Sequence, residues 1–423
     1  MHRLVLFCLL VPGIAMAQPA PCETPPCTDA PADPPPTTTS EPATTPPTEV
    51  VTPAKVVVAE SAAPEPEKPK EEPKQEPWTI RPGGYVQSQY RMRQNSPAPF
   101  DEDGFRLARV RLTAAAEGKA GDFKVGAYIE GELQPTFQLA DAFATLTRPM
   151  EKKGTLAIDF GQMRVPLSRQ QMISDTRLSF VDKAQLATIA PDRDLGTRVT
   201  FIPPGLRQVK VMAGAFNGEG RNQIQNINEG YLYAGRLELA PIGGPAPMAE
   251  SAFVDPWVSL GLSVGRNRLS PGDFHEDRLY LGADVSGAYK GISGSFEYLE
   301  VRYTFEGDMS KLPGPDYKAN GFTAQLAYLL PIQLPPAKGS QFEVAARVEE
   351  IDRNDTVPIA QLGDAGQSVR EYTGALSWYM RNHLLKAQLA FNHFQELEDK
   401  TSTGTDAHYD NDQLLLQVTY RVE

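Results

Sequence analysis

The sequence predicts an all-β fold, a 16-stranded antiparallel transmembrane β-barrel that begins at Trp78 and continues to the last residue. Three observations point there. From Trp78 onward, apolar and polar residues alternate in runs separated by Gly, Pro, Asn and Asp clusters, the period-two pattern of strands. Many of these runs reach ten residues or more, longer than the roughly five or six usual in soluble sheets and matched to a tilted bilayer crossing. The connections between them alternate between tight and long.

Before Trp78 nothing can fold around a core. Met1-His2-Arg3, an apolar stretch from Leu4 to Ile14 and Ala15-Met16-Ala17 form the charged start, hydrophobic centre and small-residue cleavage site of a secretory signal. Residues 1–17 are therefore expected to be removed as a signal peptide; the stretch is too short to span a bilayer as a retained helix. Residues 18–77 hold 17 of the 38 prolines and no aromatic residue, so they read as a disordered, partly polyproline II periplasmic segment. Residues 78–423 then form the barrel domain. Cys22 and Cys27 would lie in an oxidising compartment, where a local disulfide and two free thiols are both open, and no nearby histidine completes a metal site.

The strands follow in order at about 83–93, 104–117, 122–133, 137–147, 154–162, 195–203, 207–217 and 229–240. A second set lies at about 255–266, 277–289, 291–305, 319–330, 340–352, 367–381, 383–395 and 411–422. The connections after the second, tenth and fourteenth strands are tight: Lys119-Ala120-Gly121, Lys290-Gly291 and Arg381-Asn382. Those after the first, fifth, seventh, ninth, eleventh, thirteenth and fifteenth are long and polar, as in 94–103 and 396–411. Bacterial barrels show this asymmetry, with short periplasmic turns and long outer loops, and an even strand number returns the chain to the side it started from. Two connections, 241–254 and 331–339, fall on the short-turn side yet are long; their Pro and Gly content reads them as bulky turns.

Parity assigns the faces. Val110, Leu112 and Ala114 would face lipid, which leaves Arg109 and Arg111 for the lumen. In the last strand Leu414, Leu416, Val418, Tyr420 and Val422 form the lipid set, and Gln413, Gln417, Thr419 and Arg421 face water. A barrel of this width is too wide for its own side chains to fill, so a polar inner face predicts a conducting lumen. Tyr85, Tyr90, Trp257, Tyr289, Trp378 and Tyr379 are expected in interfacial girdles.

Composition narrows the function classes. The chain is acidic, at net charge -12, and no run after the signal reaches 18 apolar residues, which excludes helical membrane spans but not strands. The histidines are His2, His275, His383, His393 and His408, and only His393 near Ser377 suggests even a rudimentary hydrolase pair, so no enzyme, cofactor or metal is expected. Acidic runs such as Asp101-Glu102-Asp103, Asp273 with Glu276 and Asp277, and Asp406 with Asp410 and Asp412 read first as solvated loop faces and second as divalent-ion bridges to lipopolysaccharide.

Several strings then add a family. Gly104-Phe105-Arg106-Leu107-Ala108-Arg109-Val110-Arg111-Leu112, Leu139-Ala140-Asp141-Ala142-Phe143 and Phe160-Gly161-Gln162-Met163-Arg164-Val165-Pro166 resemble the phosphate-selective porin O and P family. Pro191-Asp192-Arg193-Asp194-Leu195-Gly196 and Ala215-Phe216-Asn217-Gly218 extend the resemblance in the same order. It implies a trimeric 16-stranded porin that passes anions such as phosphate or polyphosphate, with basic residues along the lumen and a long third loop folded inward. The connection Gly161 to Asp194 fits that loop by position and length.

A pore gains anion preference by lining a narrow passage with fixed positive charge, usually arginine because it stays ionised and binds oxyanions bidentately. The candidates are Arg109 and Arg111 on the second strand, with Arg164, Arg169, Arg177 and Lys183 in the long connection, where Asp175 and Asp182 offset part of the charge. The alternative for Arg109 and Arg111 is pairing with lumen carboxylates such as Asp141 or Glu130, which would brace the wall; for the loop arginines it is anchoring the loop. The expected partners are membrane lipids and lipopolysaccharide, two further copies of the chain in a homotrimer, and small anionic solutes, with no nucleic acid. The expected location is the outer membrane, with the N-terminal segment in the periplasm. A structural envelope anchor, its Pro-rich segment gripping peptidoglycan or another partner, is the second reading.

Overall fold

The computed structural model describes residues 78–94, 103–228, 230–244, 246–253, 256–270, 274–308, 314–332, 339–355, 368–397 and 412–422. The signal, the Pro-rich segment with Cys22 and Cys27, and most of the acidic runs (Asp101, Glu102, Asp273, Asp406 and Asp410) lie outside the described residues. The strands are β1 Thr79–Arg93, β2 Gly104–Ala120, β3 Phe123–Glu132, β4 Gln138–Pro149, β5 Thr155–Arg164, β6 Arg193–Ile202, β7 Val209–Phe216 and β8 Leu232–Ile242. They continue with β9 Trp257–Leu269, β10 Phe274–Tyr289, β11 Ile292–Gly307, β12 Tyr317–Leu330, β13 Gln341–Asp352, β14 Val369–Arg381, β15 Leu385–Glu396 and β16 Gln413–Val422.

Each strand pairs antiparallel with its chain neighbours, and β1 pairs with β16 from Gly84↔Val422 to Arg93↔Gln413, which closes the barrel. Closure leaves no edge, the condition for placing strands in hydrocarbon. At the β10–β11 hairpin both connecting residues have positive φ, Lys290 at 51° and Gly291 at 82°, the two-residue turn whose twist suits the flanking strands.

Side chains divide as parity requires. Leu414, Leu416, Val418, Tyr420 and Val422 are exposed on the outer face, while Gln417 and Thr419 between them are fully buried inside. In β2 a bulge shifts the pairing from Gln87↔Arg109 to Ser88↔Leu107, so Ala108 is extra and the parity flips there. Phe105 and Leu107 are therefore exposed on one side of the bulge as Leu112 is on the other, and Arg106 joins Arg109 and Arg111 on the inner face.

Two expectations need correction. The connection after β9 is short, because β9 runs to Leu269 and β10 starts at Phe274; their polar ends are paired as strand instead of looping out. Tyr85, Trp257 and Tyr379 do not sit in an outer girdle: all three are buried, with the Tyr85 hydroxyl 3.5 Å from Asp175 and the Tyr379 hydroxyl 2.9 Å from Glu343. Their parity is that of the inner face, which aromatic content alone does not reveal. His393 and Ser377 do not meet: His393 reaches Asp412 at 2.8 Å, whereas the Ser377 hydroxyl points inward to Ser179 O.

The interior is partly filled. Val165, Leu167, Leu186 and Ile189 from the β5–β6 connection pack with Phe216, Leu232, Tyr280, Leu299 and Val301 of the wall. This apolar cluster inside a barrel with an apolar exterior holds the connection against one side of the wall.

Candidate functional site

The long connection spans residues 165–192, narrower than Gly161 to Asp194, because the ladder pairing β5 with β6 continues to Arg164↔Arg193. Arg164 is thus the last residue of β5 and not a loop residue. The connection carries the short helix α1, Arg169–Met172, capped by the Ser168 side chain accepting from Gln171 N at 3.2 Å.

Wall side chains from many strands bond to this connection. Glu297 of β11 accepts from Arg169 N and Gln170 N at 2.9 and 3.0 Å, and Ser263 of β9 donates to Leu167 O at 2.6 Å. Arg347 of β13 donates to Asp182 O at 3.0 Å, Gln388 of β15 to Ser179 O at 3.0 Å, and Gln87 of β1 to Asp175 O at 3.3 Å. Lys386, with no exposed surface, donates to Leu178 O at 2.6 Å. Lys386→Met should leave the barrel folded but raise open-channel current noise, since a buried charged donor contributes about 1.5–3 kcal/mol to holding its partner; single-channel recording checks this.

A second chain segment meets the first. The connection between β8 and β9, one of the two bulky turns at the barrel end where β1 begins and β16 ends, buries Ala246, Glu250, Ser251 and Ala252. Glu250 accepts from Gln170 Nε2 and from Ser179 N, both at 2.8 Å, and its own N–H donates to Arg177 O at 3.1 Å. Arg169 reaches Pro247 O at 3.0 Å, and Ser251 meets His383 at 2.9 Å. The Pro/Gly content that read as mere bulk belongs to a turn that docks on the β5–β6 connection.

On the opposite side, the wall from β1 to β6 carries the charge cluster. Arg111 pairs with Glu130 and Glu132 at 2.6 Å each and with Asp175 at 3.3 Å. Arg109 lies 3.5 Å from Asp175 and 3.8 Å from Asp182, and Lys183 lies 4.0 Å from Asp175. Arg164 donates to Gln171 O and Ile173 O at 2.6 Å each, and Lys183 shares Gln171 O at 2.9 Å. Burial alone would raise the Asp175 carboxyl, but Arg109, Lys183, Arg111 and Arg164 together hold it well below the usual carboxylate range. Burial, and next the Arg164 guanidinium, push Lys183 down to about 7 against the pull of Asp175.

The six nominated cations therefore divide. Arg109, Arg111, Arg164 and Lys183 converge around Asp175. Arg169 is buried away from them, over the Trp257 ring at 5.4 Å, and Arg177 lies where the two connections touch. Of the braces anticipated for Arg109 and Arg111, that of Arg111 with Glu130 occurs, whereas Asp141 is taken by Arg193 at 3.0 Å and Arg109 lies against Asp175 and Asp182. Arg193 also lies 3.6 Å from Glu130, and Arg198 pairs with Asp159 at 2.8 Å and donates to Arg164 O at 3.2 Å. Arg106, Arg193 and Arg198 were missed. Inward parity could have found Arg198 from its strand, and Arg193 stands inside the quoted Pro191-Asp192-Arg193-Asp194 string, but Arg106 is invisible without the bulge.

Below Asp175 the interior stays open. A cavity of about 410 Å³ is lined by Tyr85, Thr113, Ala115, Tyr128, Glu130, Ser174 and Arg421 among others. A second of about 610 Å³, which shares Ala115 and Tyr128 with it, continues to Lys119 and Lys124 at the β2–β3 turn.

A closed barrel of sixteen antiparallel strands, apolar outside and polar within, with a charged constellation beside continuous cavities, is an outer-membrane channel of the porin class. The chain belongs to the phosphate-selective porin O and P family, whose model matches residues 81–252 and 276–422. Among solved structures it is similar to OmpT, an outer membrane protein of Vibrio cholerae in its trimer form, with a TM-score of 0.54 and 9% identity over 82% of this chain and 100% of that one. It is also similar to the outer membrane channel DcaP of Acinetobacter baumannii, with a TM-score of 0.52 and 12% identity over 81% and 97%. At these identities the likeness is one of fold. No curated protein sequence matches the chain.

Proposed function

We propose that this protein is a homotrimeric outer-membrane porin through which small hydrophilic solutes diffuse down their gradients, anions ahead of cations. The observation that carries the preference is the convergence of Arg109, Arg111, Arg164 and Lys183 around one buried carboxylate, Asp175, beside the open cavities. In this reading the connection 165–192 is the constriction, and solutes pass between it and the wall from β1 to β6. Fixed positive charge in a narrow passage lowers the energy of an anion there more than water can screen. Glu130 and Glu132 neutralise much of Arg111, so the preference is graded and not absolute. The family's name makes phosphate one candidate solute.

The same proposal places residues 1–17 as a removed signal and residues 18–77 as a periplasmic spacer. The pairing of β1 with β16 puts both ends of the barrel on the side of the tight turns, which fits a spacer leaving on the periplasmic face. Lipids and lipopolysaccharide would contact the outer surface.

Reversal potential in a planar bilayer under a KCl gradient tests the reading. A potential of the anion-selective sign supports it; a clear cation-selective sign overturns the preference, and absence of conductance overturns the channel. The preference should also depend on pH. The Lys183 pKa is depressed to about 7, so the ammonium is charged below that value and neutral above it. Anion preference should therefore fall as pH rises through about 7, and Lys183→Met should show the weaker preference at both pH extremes.

A further inference from the structure

Below the arginines, the lining of the open path turns to small and aromatic side chains, with cations at its ends. In the 610 Å³ cavity the inward residues of β2, β3 and β4 include Ala115, Gly126, Tyr128 and Phe143. The Tyr128 and Phe143 rings lie 5.6 Å apart at 44°, and both are half-buried, open to the cavity on one side. Ala115 and Gly126 leave the floor beside them low. A Cβ built at Gly126 would meet only ordinary contacts, 3.6 Å to Ala116 O and 3.9 Å to the Thr145 side chain, so the space there is real. The groove has charged groups at both ends: Arg421 lines the adjoining cavity beside Glu130, and Lys119 and Lys124 stand with Glu117 at the turn. The Tyr128 hydroxyl is tied to Glu130 at 2.9 Å, which fixes the ring under the charge cluster.

Phosphate has no apolar surface to place in such a groove. A monoanion with a flat ring has. Its carboxylate would meet the Lys119 and Lys124 ammonium groups while its ring packs on Tyr128 and Phe143, an offset aromatic contact that adds to simple area burial. The volume suits a single ring, within the range of pockets that hold small ligands.

We infer that the wall below Arg111 is a binding groove for aryl carboxylates, so that these, and not inorganic phosphate, are the anions this pore holds longest. The inference rests on the anion-preferring reading above and names its solute class. It is tested on the full-length protein in planar bilayers by the concentration of sodium benzoate, acetate or phosphate that half-blocks the chloride current. Benzoate should act at a concentration roughly 2- to 10-fold lower than acetate, and phosphate at one no lower than acetate.

In Phe143→Thr and, separately, in Gly126→Val, which fills the floor while replacing no charged residue, the benzoate-to-acetate ratio should fall to near one with acetate unchanged. Heat-modifiable gel mobility identifies which variants are folded, and Gly126→Val stands in if Phe143→Thr is not. Equal action of benzoate and acetate on the native protein overturns the inference, as does a ratio that survives in the folded variants or a tighter effect of phosphate. Benzoate and acetate carry the same charge, so their ratio is independent of the KCl reversal potential. Failure of the groove and failure of the anion preference are thereby distinguishable.

Discussion

Arg111→Ala should turn the channel cation-preferring if the native pore prefers anions as proposed. Arg111 is the residue on which three carboxylates depend, with Glu130 and Glu132 at 2.6 Å and Asp175 at 3.3 Å. Its removal leaves those three facing Arg109, Lys183 and Arg193, each of which has a further acidic neighbour, Asp182, Asp192 or Asp141. The local balance swings by a full charge beside Asp175, and the reversal potential under a KCl gradient should change sign. The swing should be larger at low salt, because the screening length is about 8 Å at physiological ionic strength and grows on dilution. Arg111→Lys should give an intermediate value: it keeps the charge but loses the fork that reaches Glu130 and Glu132 together. Breaking a buried ion cluster costs about 3–5 kcal/mol in a dry site and less beside water-filled cavities, so the variant should remain folded with a lower unfolding temperature on gels. An unchanged potential would place selectivity away from Asp175.

Glu250→Ala should enlarge the conducting path. Glu250 is the link between the two connections that fill the barrel from β7 to β15, since its carboxylate holds both Gln170 and Ser179. Hydrogen bonds to a charged group contribute about 1.5–3 kcal/mol each, and both disappear together. The segment around Ser179 would then be held by Lys386, Gln388, Ser377 and Arg347 and by the backbone bond from residue 250 to Arg177 O. Single-channel conductance should rise, with slow switching between two levels, and neutral solutes too large for the native pore should pass in liposome-swelling assays. Glu250→Gln, which retains one acceptor oxygen, should show a smaller change. If Glu250→Ala conducts as the native protein does, the turn between β8 and β9 is not what closes this side.

The strands and faces were legible because they depend on a local rule. All sixteen were placed in order, with some ends a few residues short, as at Thr79 and Leu269, where pairing with a longer neighbour extends a strand past its alternating core, and others long, as at 207–217 against Val209–Phe216. The candidate site was legible in its parts. Arg109 and Arg111 followed from parity, and the weight of Asp175 and Asp182 as counter-charges was visible in the sequence. Which cations would share a carboxylate was not, because Arg111 and Asp175 are 64 positions apart along the chain and meet through the path of the connection. Arg169 and Arg177 look the same as Arg164 in sequence; only the docked turn draws the Arg169 side chain off to Pro247 O and takes up the Arg177 carbonyl.

By itself, the sequence determined that this chain makes a sixteen-stranded barrel with an apolar outside and a polar inside, and it named the family by ordered strings along the first half. Those outcomes rest on alternation and spacing, which act between neighbouring residues and neighbouring strands. Tertiary structure alone decided that Ala108 bulges and turns Arg106 inward, that the turn between β8 and β9 grips the β5–β6 connection through Glu250, and that the open cavities lie along β1 to β4. These depend on which polar groups satisfy one another across the lumen, and a buried carboxylate accepts whichever donors the closed barrel brings within reach.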